Sequence, residues 1–456
     1  MPVERLGEWS FLELPRLNRA ILAGVLPPTA LVGTLAEQIL VDLPGPESLS
    51  PLQAQRLLVH LAFCGAAVAR HYQAGDLTRK AIPEQAFEPL PVGPARTPFR
   101  TYFARLADRT GTGHPRRDSY AVVVRWNVPT VAVQWNGERL ALLPGVFEDG
   151  RVRTYTGDRG ERLFLELVKK AEALERAVND LLEPISAGSV GMETTDAIER
   201  TRLATTLLTA LRQLISDFGS LPPGQGLSAE HFIDVFRQFA GHWEVGDIPP
   251  SGALDPEALK RDLLLGLPIP DRDRHVLRLF PGLLDSERAD LTRLMSRPPV
   301  PDALLASVGV DPATLQEMPA TDLRALVRRH PALVGWCLVL TAHARASGLH
   351  LAVTKKLLFR PGRERELAGI PDTGVVPRRY GTTGMDESLL ERLVRVRHNH
   401  LLAPLGHIPR LELLALAGIQ EPEVAAGRDL DRLVGFVPGA GRLERHGDPP
   451  ALARSA

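Results

Sequence analysis

Residues 332–359 read ALVGWCLVLTAHARASGLHLAVTKKLLF. An apolar run of this length is too long for a strand and reads as one helix buried in a core. Its most apolar window, residues 332–342, is too short to cross a bilayer and is followed at once by His343 and Arg345. The run therefore predicts a mostly α, soluble fold built around this helix. Two histidines lie on it, His343 and His350, about two helical turns apart on one face.

Working outward, helical periodicity recurs at Leu52–His71, Leu163–Ile185, Thr194–Phe218 and Met385–Leu402. The alanines and Gly65 of the first suit close packing. Ser228 can cap a helix running through Trp243, and Pro256–Leu267 reads as a short helix ended by Gly266 and Pro268. Strand signals gather in Tyr120–Phe147: Tyr120–Trp126, Val131–Trp135, then Arg139–Leu143 beyond an Asn136-Gly137 turn. Pro83–Pro98 holds five prolines and reads as a surface loop. Pro404–Ala456, rich in Pro, Gly and Arg, reads as peripheral or partly disordered. These shifts divide the chain into a smaller N-terminal mixed α/β domain (1–150) carrying the β element at 120–147, a helical domain (151–405) and a tail (406–456).

Lys+Arg and Asp+Glu balance at 54 each, so no net field points to nucleic acid or an anionic membrane. Two cysteines, Cys64 and Cys337, make no disulfide framework, and the N-terminus carries no apolar leader; both predict a cytoplasmic location. CxxC, HExxH, GxSxG and GxxxxGK[ST] are absent. What remains is a histidine inside an apolar helix. Such a residue is most often a satisfied part of the core. The chemical alternative is haem, which needs one proximal imidazole on a rigid helix with an apolar wall beside it. His350 and His343 are both open to that role.

Two blocks carry a resemblance. LHLAVTKKLLFRP (349–361), followed by RRYGTTGMDESLLERLVRVRHNHL (378–401), resembles the end of the indoleamine 2,3-dioxygenase and tryptophan 2,3-dioxygenase haem superfamily. There a proximal histidine opens a His-Leu-x-x-Val-Thr-Lys helix, and a glycine-threonine loop follows some thirty residues on; here Gly381 follows His350 by 31 residues. HFIDVFRQFAGHWEVG (231–246) resembles the family's stretch whose arginine binds the carboxylate of an amino-acid substrate. PPSGALDPEALKRDLLLG (249–266) resembles its small-residue segment along the haem. A weaker likeness, to the monodechloroaminopyrrolnitrin synthase branch of the same superfamily, covers LPRLNR (14–19), VVRWNVPT (123–130) and TYTGDRGERLFLEL (154–167).

The resemblance implies an indoleamine 2,3-dioxygenase-like fold, with a large helical haem domain and a smaller N-terminal mixed α/β domain. It implies b-type haem (heme b), with His350 as the iron ligand and Ser251, Gly252, Ala253, Gly381 and Gly384 along the macrocycle. Arg237 would grip the substrate carboxylate bidentately, Phe232 and Ile233 would line the pocket, and Thr382 would meet the ammonium group. Asp262 would stand behind the haem. The implied activity is haem-dependent oxygenation of a tryptophan-like amino acid with O2, with an electron donor keeping iron ferrous. The chain departs from the pattern in three places. Glu161 or Arg162 would face the distal pocket, with Leu165 in place of a polar residue. Thr383 and Met385 alter the glycine loop. Ser347 stands where the family has an arginine. These departures leave open a biosynthetic haem enzyme that hydroxylates or rearranges an amino acid, and a non-catalytic haem-binding protein.

Overall fold

Capping and burial account for most of the helices. The computed structural model describes residues 2–112, 117–266, 271–381, 385–421 and 428–437, and they are mostly helical. The helices that frame the site are α1 (Pro2–Leu22), α2 (Pro51–Gln73), α3 (Arg159–Ser186), α4 (Thr195–Gly219), α5 (Ala229–Asp234), α6 (Pro256–Leu265), α7 (Ala332–Thr354) and α8 (Glu387–His398). Ser50 and Gln53 form a reciprocal capping box at the start of α2, with Pro51 in the first turn. Asp158, Thr194, Ser228, Asp255 and Asp386 cap α3, α4, α5, α6 and α8 through side-chain oxygens.

The apolar run that decides the fold is α7, continued by a π-helical turn at Lys355–Phe359. It packs along α4 so closely that a Cβ on Gly335 would lie 2.3 Å from Thr201 Oγ1. Gly65 of α2 has the same role against Trp243, whose ring would meet a Cβ there at 2.3 Å. Among the described residues α2 and α7, the latter with its extension to Leu367, are long and apolar enough to cross a membrane, but most of each is buried inside the fold.

The small sheet is antiparallel: β1 (Val131–Trp135) and β2 (Glu138–Leu143) meet at Asn136-Gly137, both at positive φ (49° and 83°), and β3 (Val434–Phe436) pairs on the other edge of β1. Four readings need correcting. Ala121–Trp126, expected as a strand, is a buried π-helical turn. A short, fully buried valine run does not distinguish the two by periodicity. Here Lys169 of α3 takes the carbonyls of Arg125 and Val128, at 2.6 Å each, which a strand ladder would have needed. Pro83–Pro98 is no simple surface loop: it holds a short strand pair, Pro91–Val92 with Thr97–Pro98, and buries Phe87 and Leu90. The helix expected to run from Ser228 to Trp243 breaks at Val235 into a 3-10 turn over Phe236–Ala240. The described residues between 405 and 437 are not all peripheral. Leu405, Leu413, Leu414, Leu430, Leu433 and Val434 join one buried apolar cluster that begins at Leu6.

Candidate functional site

The character of α7 changes along its length. From Ala332 to Ala346 nearly every side chain is buried, and from Ser347 onward the helix is only partly covered. His350 lies in this second half. Its imidazole makes no hydrogen bond among the described residues, while its carbonyl accepts from Thr354 Oγ1 at 2.9 Å. His350 is exposed to solvent, yet enough protein surrounds it for desolvation to hold its pKa below the usual value. Nearby Glu175 opposes that shift, and Arg397 and Arg261 reinforce it. His350 is therefore neutral at pH 7, the form in which an imidazole nitrogen is a ligand.

His343, the other candidate, is buried and engaged. Its Nε2–H donates to Asp262 Oδ1 at 3.1 Å, and Arg397 donates to the second oxygen of the same carboxylate at 2.7 Å. Asp262 thus ties α6, α7 and α8 together, and burial brings the His343 pKa down to about 3. These three residues, with Leu340 and His400, line a cavity of about 440 Å³ that does not include His350.

The break after α5 turns Arg237 inward. It is 3% exposed and donates to the carbonyls of Pro377, at 2.8 Å, and of Tyr380. Gln238 brackets Val376, donating to its carbonyl and accepting from its N–H. Together they fix the segment that leads into Gly381. Desolvation lowers the Arg237 pKa to about 10, partly offset by Asp372. Two of its donors are therefore taken by main chain. Phe232 stands in a half-buried aromatic wall with Phe164 (5.7 Å between centroids) and Phe236 (6.2 Å), and Ile233 is buried against Leu358 and Phe359 just beyond α7.

Ser251 accepts from the Ala253 N–H at 3.1 Å in a tight turn, and Gly252 is exposed with nothing within 4 Å of where a Cβ would sit. The Gly381 N–H donates to Met385 O at 2.7 Å; Thr382 and Gly384 lie outside the described residues. The structure thus joins Arg237 to the approach of Gly381, and it sets Asp262 beside His343 rather than His350.

The altered distal residues do not face a pocket. Glu161 is fully buried and accepts from the N–H groups of Tyr155 and Thr156, the Thr156 hydroxyl and His231 Nε2. Arg162 is exposed and pairs with Glu166, and Leu165 is core. Phe164, to which the sequence alone assigned no role, forms the α3 side of the aromatic wall. Among the described residues no cluster of three His, Cys, Asp or Glu side chains could hold a bare metal ion. No protein-family model and no curated protein matches this chain.

Proposed function

We propose that the chain is a haem-dependent oxygenase of the indoleamine 2,3-dioxygenase type, acting on a tryptophan-like amino acid. The observation that carries this reading is His350: an exposed, neutral imidazole without a hydrogen-bond partner among the described residues, on the part of α7 that is only partly covered. The residues fit b-type haem. A macrocycle brings four nitrogens of its own and asks the protein for a single axial ligand. It also needs apolar walls, and Leu349, Val353, Leu389, Leu393 and Val394 of α7 and α8 are only half-covered by protein.

In this reading His350 holds the iron, and the turn at Ser251–Ala253 borders the macrocycle. Bound haem, kept ferrous by an electron donor, supplies the site that activates O2. Phe164, Phe232 and Phe236 offer an aromatic surface to a flat side chain, and exclude water from it. Arg237 is the group assigned to the substrate carboxylate, with Thr382 assigned to its ammonium group, in a cytoplasmic enzyme. Two Arg237 donors already bound to main chain favour a second reading, in which the same scaffold hydroxylates or rearranges a differently held amino acid.

The test is an absorption spectrum of the purified chain, with and without added haemin and candidate amino acids. A Soret band, with haem extractable into acidified organic solvent, is the expected result. A colourless protein that ignores haemin overturns both readings. Product mass then separates ring cleavage, which adds two oxygen atoms, from hydroxylation, which adds one.

A further inference from the structure

Arg70, near the end of α2, is a partly buried guanidinium with no acid beside it among the described residues. The buried guanidiniums of Arg117 and Arg261 pair with Asp118 and Asp247, and with Glu175. The nearly buried Arg125 pairs with Glu172 and Glu287. Arg70 has only a neutral neighbour. Its Nη1 donates to His71 Nδ1 at 3.0 Å. The tautomer follows from the chain of bonds behind it: Asn18 Nδ2 donates to Tyr155 O at 2.8 Å, so Asn18 Oδ1 is left to accept from His71 Nε2–H at 2.9 Å, and His71 Nδ1 carries a lone pair. His71 is itself buried and stays uncharged, its pKa brought down to about 3 by desolvation and by Arg70.

This relay orients the guanidinium, which also lies 5.7 Å from the centre of the Phe239 ring. Phe239 cannot shift, because it is fully buried and stacked on Tyr155 at 4.3 Å. What remains is one edge of the fork. Among the described residues Arg70 Nε is buried without a partner, and Nη2, which is not buried, makes no hydrogen bond. Burial lowers the Arg70 pKa to about 10, so the group is still a cation at neutral pH. A half-buried cation without a counter-ion is unfavourable, and parallel N–H groups on one guanidinium edge match the two oxygens of a carboxylate.

We propose that Arg70 is an anion-binding residue, and that its Nε–Nη2 edge takes the carboxylate of a small organic acid. A carboxylate fits better than a phosphate, because the nearest lysine in sequence, Lys80, already donates to Gly374 O and Arg79 is paired with Asp76. This inference rests on α2 and the Phe239 turn and does not require haem.

The experiment is thermal unfolding of the full chain at constant ionic strength in sodium benzoate, in sodium chloride and in chloride with benzamide. Benzoate is expected to raise the midpoint above both controls, and Arg70→Met is expected to abolish that difference. Arginine side-chain Nε–H resonances of the parent protein give a second readout that needs no variant: one of them is expected to shift with benzoate and not with benzamide. Equal behaviour of benzoate, chloride and benzamide in the parent protein, or an undiminished benzoate effect in Arg70→Met, overturns the proposal.

Discussion

Two histidines on one helix differ in what their rings already do. His343 gives its only N–H to Asp262, and among the described residues the His350 ring gives nothing. Ligation by His343 could use only Nδ1, which is buried with Nε2 held on Asp262, whereas His350 is exposed and, among the described residues, has both ring nitrogens free. His350→Ala is therefore expected to abolish the Soret band. His343→Ala is expected to keep it and to lower stability by about 2–4 kcal/mol, from the lost bond and the cavity left behind. The reverse pattern in the two spectra would reassign the ligand. Glu161 allows a pH test at the same scale. Its pairing with His231 raises the histidine's pKa against the opposing effect of burial, with Asp158 adding to the rise. A raised folded-state value means that the stabilisation is complete below the ordinary value of 6.5 and fades as pH climbs through the higher one. The difference in unfolding midpoint between the parent chain and His231→Gln is expected to be largest in mild acid and to shrink above neutrality. A difference that does not vary with pH removes Glu161 as the cause. Both residue-level findings had only half a signal in the sequence: the spacing of His343 and His350 was visible, but which ring Asp262 would engage depends on the crossing of α6 over α7.

At the scale of elements, the local code was readable wherever one periodic pattern met one clear boundary. Asn136-Gly137 marks the hairpin because a tight turn there needs two residues at positive φ, and both adopt it. Gly65 and the alanines of α2 signalled close packing, and the structure supplies the partner, Trp243. Gly65→Ala is expected to force the indole to move and to cost about 1–3 kcal/mol, read as a lower midpoint in denaturant with an unchanged slope. A neutral result would mean that the Trp243 ring has room to retreat from Gly65 within its packing against Phe87 and Phe103. The helices between Arg272 and Arg329 were missed for a physical reason. Pro301 and Pro312 look like breaks along the chain but occupy the first turns of Val300–Ser307 and Pro312–Glu317, where a missing N–H costs nothing. The Val122–Val124 run was misread because a strand and a buried helical turn look alike when no face is polar, and the deciding contact, Lys169, lies more than forty residues away in sequence.

For the whole molecule, the informative connection is the longest one. β3 returns from Val434–Phe436 to pair with β1, placing Val434 opposite Val133. Val434 is fully buried, and Leu430 and Leu433 beside it enter the same apolar cluster as Leu6, Leu57 and Leu333. Composition alone gave no hint of this, since the Pro, Gly and Arg content around these residues resembles that of a solvated tail and strand pairing across some three hundred residues leaves no local pattern. If the strand is part of the common core, Val434→Asp places an unpaired carboxylate inside it and removes apolar contacts, a loss of about 3–5 kcal/mol. That is a large fraction of the roughly 5–15 kcal/mol by which folded proteins are stable. The midpoints followed by tryptophan fluorescence, which reports buried Trp243 and Trp336, and by far-ultraviolet circular dichroism are then expected to fall together. Val434→Asp with both midpoints unchanged would mean that the third strand decorates the sheet without supporting it. A fall confined to one of the two signals would mean that the sheet and the helical core unfold as separate units.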